Sequence, residues 1–224
     1  MTINTKKCAF IHFGNNGSIL TYYINGEAII FETTIKDLGI QVDNKLLFRK
    51  HLQTVIKKAS KLIGLCFHLF HSNDANLYLS YFNSYILLII DYGSILYLCT
   101  HKSSIQQIEK LQQRFTRLLF KRTHRSQPKP DYFTRLKLFG LQKLHNRYLT
   151  IDLIALFKIL TGRINTPSLH FRFSSNCRTR ILLPSIRLNS SRNSFPFRSI
   201  SLWNTFIKQS VHSLPELKRI IDYK

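Results

Sequence analysis

Polar and apolar residues alternate through the first part of the chain and then change to a helical period. "CAFIHFG" (8–14) alternates and runs into the turn signal "GNNG" (14–17), and "ILTYYING" (19–26) and "EAIIFETT" (27–34) flank Asn25-Gly26. Asn-Gly between β-branched and aromatic runs is a strong hairpin cue, because the tight turn joining two strands needs positive φ at both central residues. "LGIQVD" (38–43) adds one more short strand. The pattern predicts a small antiparallel sheet of three or four strands over residues 1–44.

From Leu46 the apolar positions follow a 3.6-residue period. Over 46–70, Leu47, His51, Val55, Ile56, Leu62, Ile63 and Phe67 share one side, and Arg49, Lys50, Lys57, Lys58 and Lys61 the other. "SND" (72–74) is an N-cap cluster opening a second helix through Cys99, with a break expected at Gly93. A third helix over 104–122 carries the stripe Ile105, Ile108, Leu111, Phe115, Leu118 and Leu119. "HRSQPKPD" (124–131) is a connector, a short helix over 131–138 ends at Gly140, and a long one over 143–161 stops at Gly162. Beyond that the chain turns rich in Ser, Asn, Arg and Pro without a sustained period, until "SLWNTF" and "LPELKRII" suggest two terminal helical turns. The fold class read from this is α+β: a small N-terminal sheet or hairpin region (1–44), a mainly helical bundle (45–162) and a basic, irregular C-terminal segment (163–224).

Charge changes the picture. Of the 33 Lys and Arg, 24 follow Thr100, against five of the 11 acids, in a chain of formal net charge +22. A surface that positive repels itself unless a polyanion covers it, so RNA and DNA are the expected partners. Third-helix residues Arg114, Arg117 and Lys121 form a ridge at spacing i, i+3, i+7, continued by Arg122 and Arg125, and with Lys57, Lys58 and Lys61 they are the candidate nucleic-acid-binding residues. The tail arginines Arg172, Arg178, Arg180, Arg187, Arg192 and Arg198 are a diffuse second candidate, and Trp203 reads as a core anchor beside Leu202 and Phe206.

Catalytic chemistry is missing from the pattern. The acids are isolated from one another, with no Asp-Asp pair, and metal-assisted phosphoryl transfer needs two carboxylates close together. Asp37 and Asp43 sit at natural turn positions. The four cysteines (Cys8, Cys66, Cys99, Cys177) form no C-x-x-C pair and no zinc-ligand cluster, so no structural metal is expected. "LYLSYFNSYILLIIDYGSILYLC" (77–99) is long enough to span a bilayer, but Asn83 and Asp91 interrupt it, and it reads as a buried helix. "MTINTKKC" carries no apolar leader. The expectation is an intracellular chain, nuclear or cytoplasmic and not secreted, with neither a membrane nor a small-molecule substrate as partner.

In order, "TKKCAFIHFG", "IKDLGIQVDNKLLFRKHLQTVIKKASKLIGL", "LYLSYFNSYILLIIDYGSILY", "IQQIEKLQQRFTRLLF", "YFTRLKLFGLQKLHNRYLTIDLIALFKILTG" and "FRSISLWNTF" resemble the thumb and post-thumb part of non-LTR retrotransposon reverse transcriptases, most closely the jockey-like elements. The resemblance covers nearly the whole chain. It implies that the stretch before "KDLG" corresponds to the end of the palm and the primer-grip hairpin, and that the helices correspond to the thumb lying on a template–primer duplex. The family's polymerase aspartates and their Mg²⁺ lie upstream of the matched region, in the palm. The resemblance therefore implies a fragment of an RNA-directed DNA polymerase that binds nucleic acid and partners the palm and fingers, without cofactor or polymerase activity of its own; the alternative is a stand-alone basic nucleic-acid-binding module. "MTINTKKC" reads like the middle of a strand entry, an internal start.

Overall fold

The structure, a computed structural model, describes residues 3–14, 20–97, 102–167, 169, 171–175, 177–183, 194–207, 211 and 213–222. Its class is α+β with helices dominating. Asn25 and Gly26 take φ of 52° and 79° and join β2 (Tyr23–Ile24) to β3 (Glu27–Ala28). A second hairpin, β5 (Thr34–Asp37) with β6 (Ile40–Asp43), turns at Leu38-Gly39, also with positive φ. β1 (Ala9–Phe10) lies parallel to β4 (Ile30–Phe31). The expected single antiparallel sheet is thus three two-stranded ladders, one of them parallel. "KDLGIQ" turns where the reading of Asp37 places a turn, at the start of what reads as the strand 38–43, and Leu38 occupies a left-handed position that glycine or asparagine usually fills.

Asp43 ties the second hairpin to the helices. Its carboxylate accepts the backbone N–H groups of Lys45 (3.1 Å), Leu47 (3.1 Å) and Phe48 (2.6 Å), the last residue before α1 (Arg49–Leu69). The turn reading of Asp43 holds. Asp74 caps α2 (Ala75–Tyr81) by accepting from Asn76 N, as the "SND" signal implies. A π-helical turn (Phe82–Ile86) and α3 (Leu87–Asp91) follow, and the helix breaks before α4 (Ser94–Tyr97). Gly93 takes φ +74°, and a Cβ there would sit 3.3 Å from Ile40 Cδ1. The break expected at Gly93 is where the hairpin leans on the helix, and the Tyr92 hydroxyl donates to Leu38 O across the same seam. Among the described residues no helix is long and apolar enough to cross a membrane.

Two apolar cores result. The first joins Leu52, Ile63 and Cys66 of α1, Tyr78 of α2, Phe82 of the π turn, Ile90 of α3, and Ile108, Phe115 and Leu119 of α5 (Lys102–Thr123). Each large side chain so buried contributes roughly 1.5–3 kcal/mol. Burial pushes the Cys66 thiol up to about 11, so it is an inert filler. The second core gathers Leu153, Leu156 and Phe157 of α7 (Leu144–Leu160), Ile181 of β8 (Cys177–Ile181), Ile200 and Trp203 of α8 (Phe195–Phe206), and Leu217 of α9 (Leu214–Asp222). β8 pairs with β7 (Phe173–Ser174). α7 serves both cores, since Leu144 and Tyr148 on its first turns belong to the first. The C-terminal segment is therefore more ordered than its composition predicts. Trp203 is the anchor of its core, donating Nε1–H to Thr179 O at 2.9 Å.

Candidate nucleic-acid interface

At about 100° per residue, the buried positions of α5 (Ile108, Leu111, Gln112, Phe115, Thr116, Leu119, Phe120) fill one side of the helix. Lys110, Arg114, Arg117 and Lys121 fall on the other, and all four are exposed. Sequence reasoning identified three of these and missed Lys110. Its signal is the i−4 spacing from Arg114, hidden because Glu109 precedes it and reads as a charge partner.

Glu109 is turned aside. It accepts from the Tyr132 hydroxyl (2.5 Å) on α6 (Tyr132–Leu138), a contact that, with burial as the larger cause, holds the Tyr132 hydroxyl's pKa well above its ordinary range. The described outer face of α5 therefore carries cations and glutamines and no carboxylate, the arrangement that attracts a phosphate backbone.

The α6 side is positive too. Arg135 is buried, donating to Pro130 O (2.7 Å) and Thr116 Oγ1 (3.3 Å) beside the Tyr132 ring. Its pKa is lowered, first by burial and last by the neighbouring charge of Arg117, while Asp131 opposes the shift. Lys143 sits 4.0 Å over the Phe133 ring. The guanidinium of Arg135 braces α5 against α6, and Arg117 beside it faces solvent.

The other candidates divide. Arg122, expected on the ridge, donates Nη1–H to Phe70 O and Nη2–H to Phe67 O, both at 3.0 Å. It caps the C-terminal carbonyls of α1, a structural duty in addition to its expected place on the ridge. Arg125, exposed just beyond α5, lines a groove of about 670 Å³ with Phe67, Leu118, Lys121 and Arg122. Lys57 and Lys61 are exposed on the side of α1 opposite Leu52, Val55, Ala59 and Ile63, and Lys58, also exposed, flanks the buried face two turns on from His51. The candidate cations thus occupy two helix faces, and only the α5 group borders the groove.

Among the tail arginines, Arg172 and Arg180 are exposed, while Arg187, Arg192 and the Arg178 side chain lie outside the described residues. Arg198 is turned inward. Its Nε meets Asp152 Oδ2 at 2.7 Å, and its Nη2 reaches Asp152 Oδ1 (3.1 Å) and Ile95 O (2.6 Å). Burial raises the Asp152 carboxyl pKa, with Arg198 pulling against it. Asp91, which interrupts the apolar stretch 77–99, is bound by Arg147 through Nε and Nη2, and that contact raises the Arg147 pKa. Among the described residues no group of three or more His, Cys, Asp or Glu could hold a metal ion.

An uncharacterized protein of Caenorhabditis elegans is 28% identical to the chain over 139 residues, which cover 62% of this chain and 69% of the nematode protein. No protein-family model matches the chain, and no solved structure does.

Proposed function

We propose that the chain binds nucleic acid through backbone contacts, as the thumb-side part of a non-LTR retrotransposon reverse transcriptase, and does not itself polymerise. The observation that carries this is the outer face of α5: Lys110, Arg114, Arg117 and Lys121 in one row, with Glu109 engaged by Tyr132. Cations arranged this way track phosphates without reading bases, as a thumb lying on a template–primer duplex must do. The described ion pairs of the acids, Asp91 with Arg147 and Asp152 with Arg198, are structural, which agrees with a binding role.

Binding of a labelled duplex DNA over a salt series tests this. Four phosphates neutralised on α5 give a log–log slope of about −3.6, or roughly 150-fold weaker binding at 200 mM salt than at 50 mM. Arg114→Gln/Lys121→Gln halves that slope if the face is the contact. An unchanged slope in the variant moves the contact elsewhere, and absence of binding at 50 mM salt ends the proposal. Primer extension on an RNA template with Mg²⁺ is expected to give no product. A transcript whose frame upstream of Met1 encodes fingers and a palm with paired aspartates supports the polymerase context; an unrelated promoter there favours a stand-alone module.

A further inference from the structure

The groove where α1 ends beside α5 divides by chemistry. Phe67 and Leu118 are its half-buried apolar part. Phe67 is held by Tyr78, stacked at 4.9 Å between centroids, and by Phe115 at 5.7 Å. Lys121 and Arg125 are exposed cations on its rim. Arg122 lies between, fixed by the Phe67 and Phe70 carbonyls. Those carbonyls end α1 and carry the negative pole of its dipole, which without Arg122 would repel a phosphate at this spot. No side chain lining the groove is a hydrogen-bond acceptor.

A blunt duplex uses only half of such a lining, because its bases are stacked inside and it presents phosphates alone. An unpaired nucleotide presents a phosphate and a free aromatic face together. We propose that the groove takes unpaired nucleotides of a strand leaving the duplex held on α5, with bases against Phe67 and Leu118 and phosphates on Lys121 and Arg125. This rests on the nucleic-acid-binding reading above and names the form of strand for one part of that surface. Lys121 belongs to both surfaces and makes them continuous. The groove has no acceptor side chain to pick out a base amine, and its lysine and arginine donors meet phosphates, so it is expected to take bases and both sugars with little preference.

Fluorescence anisotropy with the full chain compares a blunt DNA duplex with the same duplex carrying a five-nucleotide dT or rU overhang. Both overhangs are expected to tighten binding about tenfold, the scale of one base stacked on an apolar platform. Leu118→Ser is expected to reduce that gain below twofold with blunt-duplex binding within twofold of wild type, and Leu118→Met to retain it. Should Leu118→Ser fail to fold, photocrosslinking of a 5-iodouracil overhang to the wild-type chain decides the matter. Adducts on the peptide containing Phe67 support the groove, and adducts confined to other peptides overturn it. Equal affinity for blunt and overhang duplexes refutes the groove and leaves the α5 face standing, whereas no binding of either refutes both. A gain confined to one sugar overturns the indifference.

Discussion

Arg198→Met separates arginines that hold the fold from those that could touch nucleic acid. Asp152 and Arg198 form an ion pair at 2.7 Å, with side chains 1% and 13% exposed, and Arg198 also satisfies Ile95 O. The substitution leaves a carboxylate sealed among apolar neighbours with no counter-charge, a loss of about 3–5 kcal/mol. For a chain of this size that lowers Tm by roughly 6–20 °C. The sole tryptophan, Trp203, lies on the same helix in the same core, so its fluorescence in urea reports the melt directly. Removing both charges with Asp152→Leu/Arg198→Met is expected to recover most of the loss but not all, because the Ile95 carbonyl keeps no guanidinium, at about 1–3 kcal/mol. The pH dependence has a definite sign. In the single variant burial acts unopposed on Asp152, raising its folded pKa further above the unfolded value, so the folded state takes up the proton and the deficit shrinks as pH falls toward the carboxylate range. A cost below about 1 kcal/mol, or a double variant no better than the single, refutes the claim that this pair is buried and paired as described.

Two further outcomes follow from the seam between hairpin and helices. His51 is buried, its Nδ1 accepts from Gln41 N at 3.4 Å, and burial first and the Lys58 charge second hold its pKa below the ordinary 6.5. Only the unfolded chain is then protonated between the two values, so stability is full above the unfolded value and falls as pH drops through it toward the folded one, by up to about 1.4 kcal/mol per pH unit; urea midpoints at pH 7.5 and 5.5 should diverge in the wild type and less in His51→Gln, and equal slopes refute it. Gly93→Ala should cost about 1–2 kcal/mol for the left-handed backbone, and more for the approach to Ile40, read as a lower urea midpoint; an unchanged midpoint shows that the break has another cause.

Much of the helical body is legible in the sequence because its signals are local. The "SND" cap, the stripe from Ile108 to Leu119, and Gly93 and Gly162 act within a turn of where they stand, and the structure uses each of them. The β region is less legible. Its parallel β1–β4 pairing joins segments about twenty residues apart that no local period connects, and "KDLGIQ", whose turn Asp37 signals, sets a leucine at positive φ. How the second core assembles is hidden for the same reason, although its anchor Trp203 reads as one. Its residues come from α7, β8, α8 and α9, and the segment between Gly162 and Ser194 has the composition of a loop.

Arginine is where the sequence misleads most. A count of charge treats every guanidinium as available surface, yet Arg122, Arg135, Arg147 and Arg198 each give donors to a carbonyl or carboxylate within the fold. The planar fork suits Arg to such partners, where a lysine offers a single point charge. The formal charge of +22 therefore overstates the field available to a polyanion at any one face. On the proposed reading the binding cations are those not engaged by a carbonyl or carboxylate of the fold, and on α5 this condition selects Lys110, Arg114, Arg117 and Lys121 while setting Arg122 aside. Spacing alone cannot make that selection. It depends on where the carbonyls of α1 end and on Tyr132 drawing Glu109 away, and both are facts of tertiary packing.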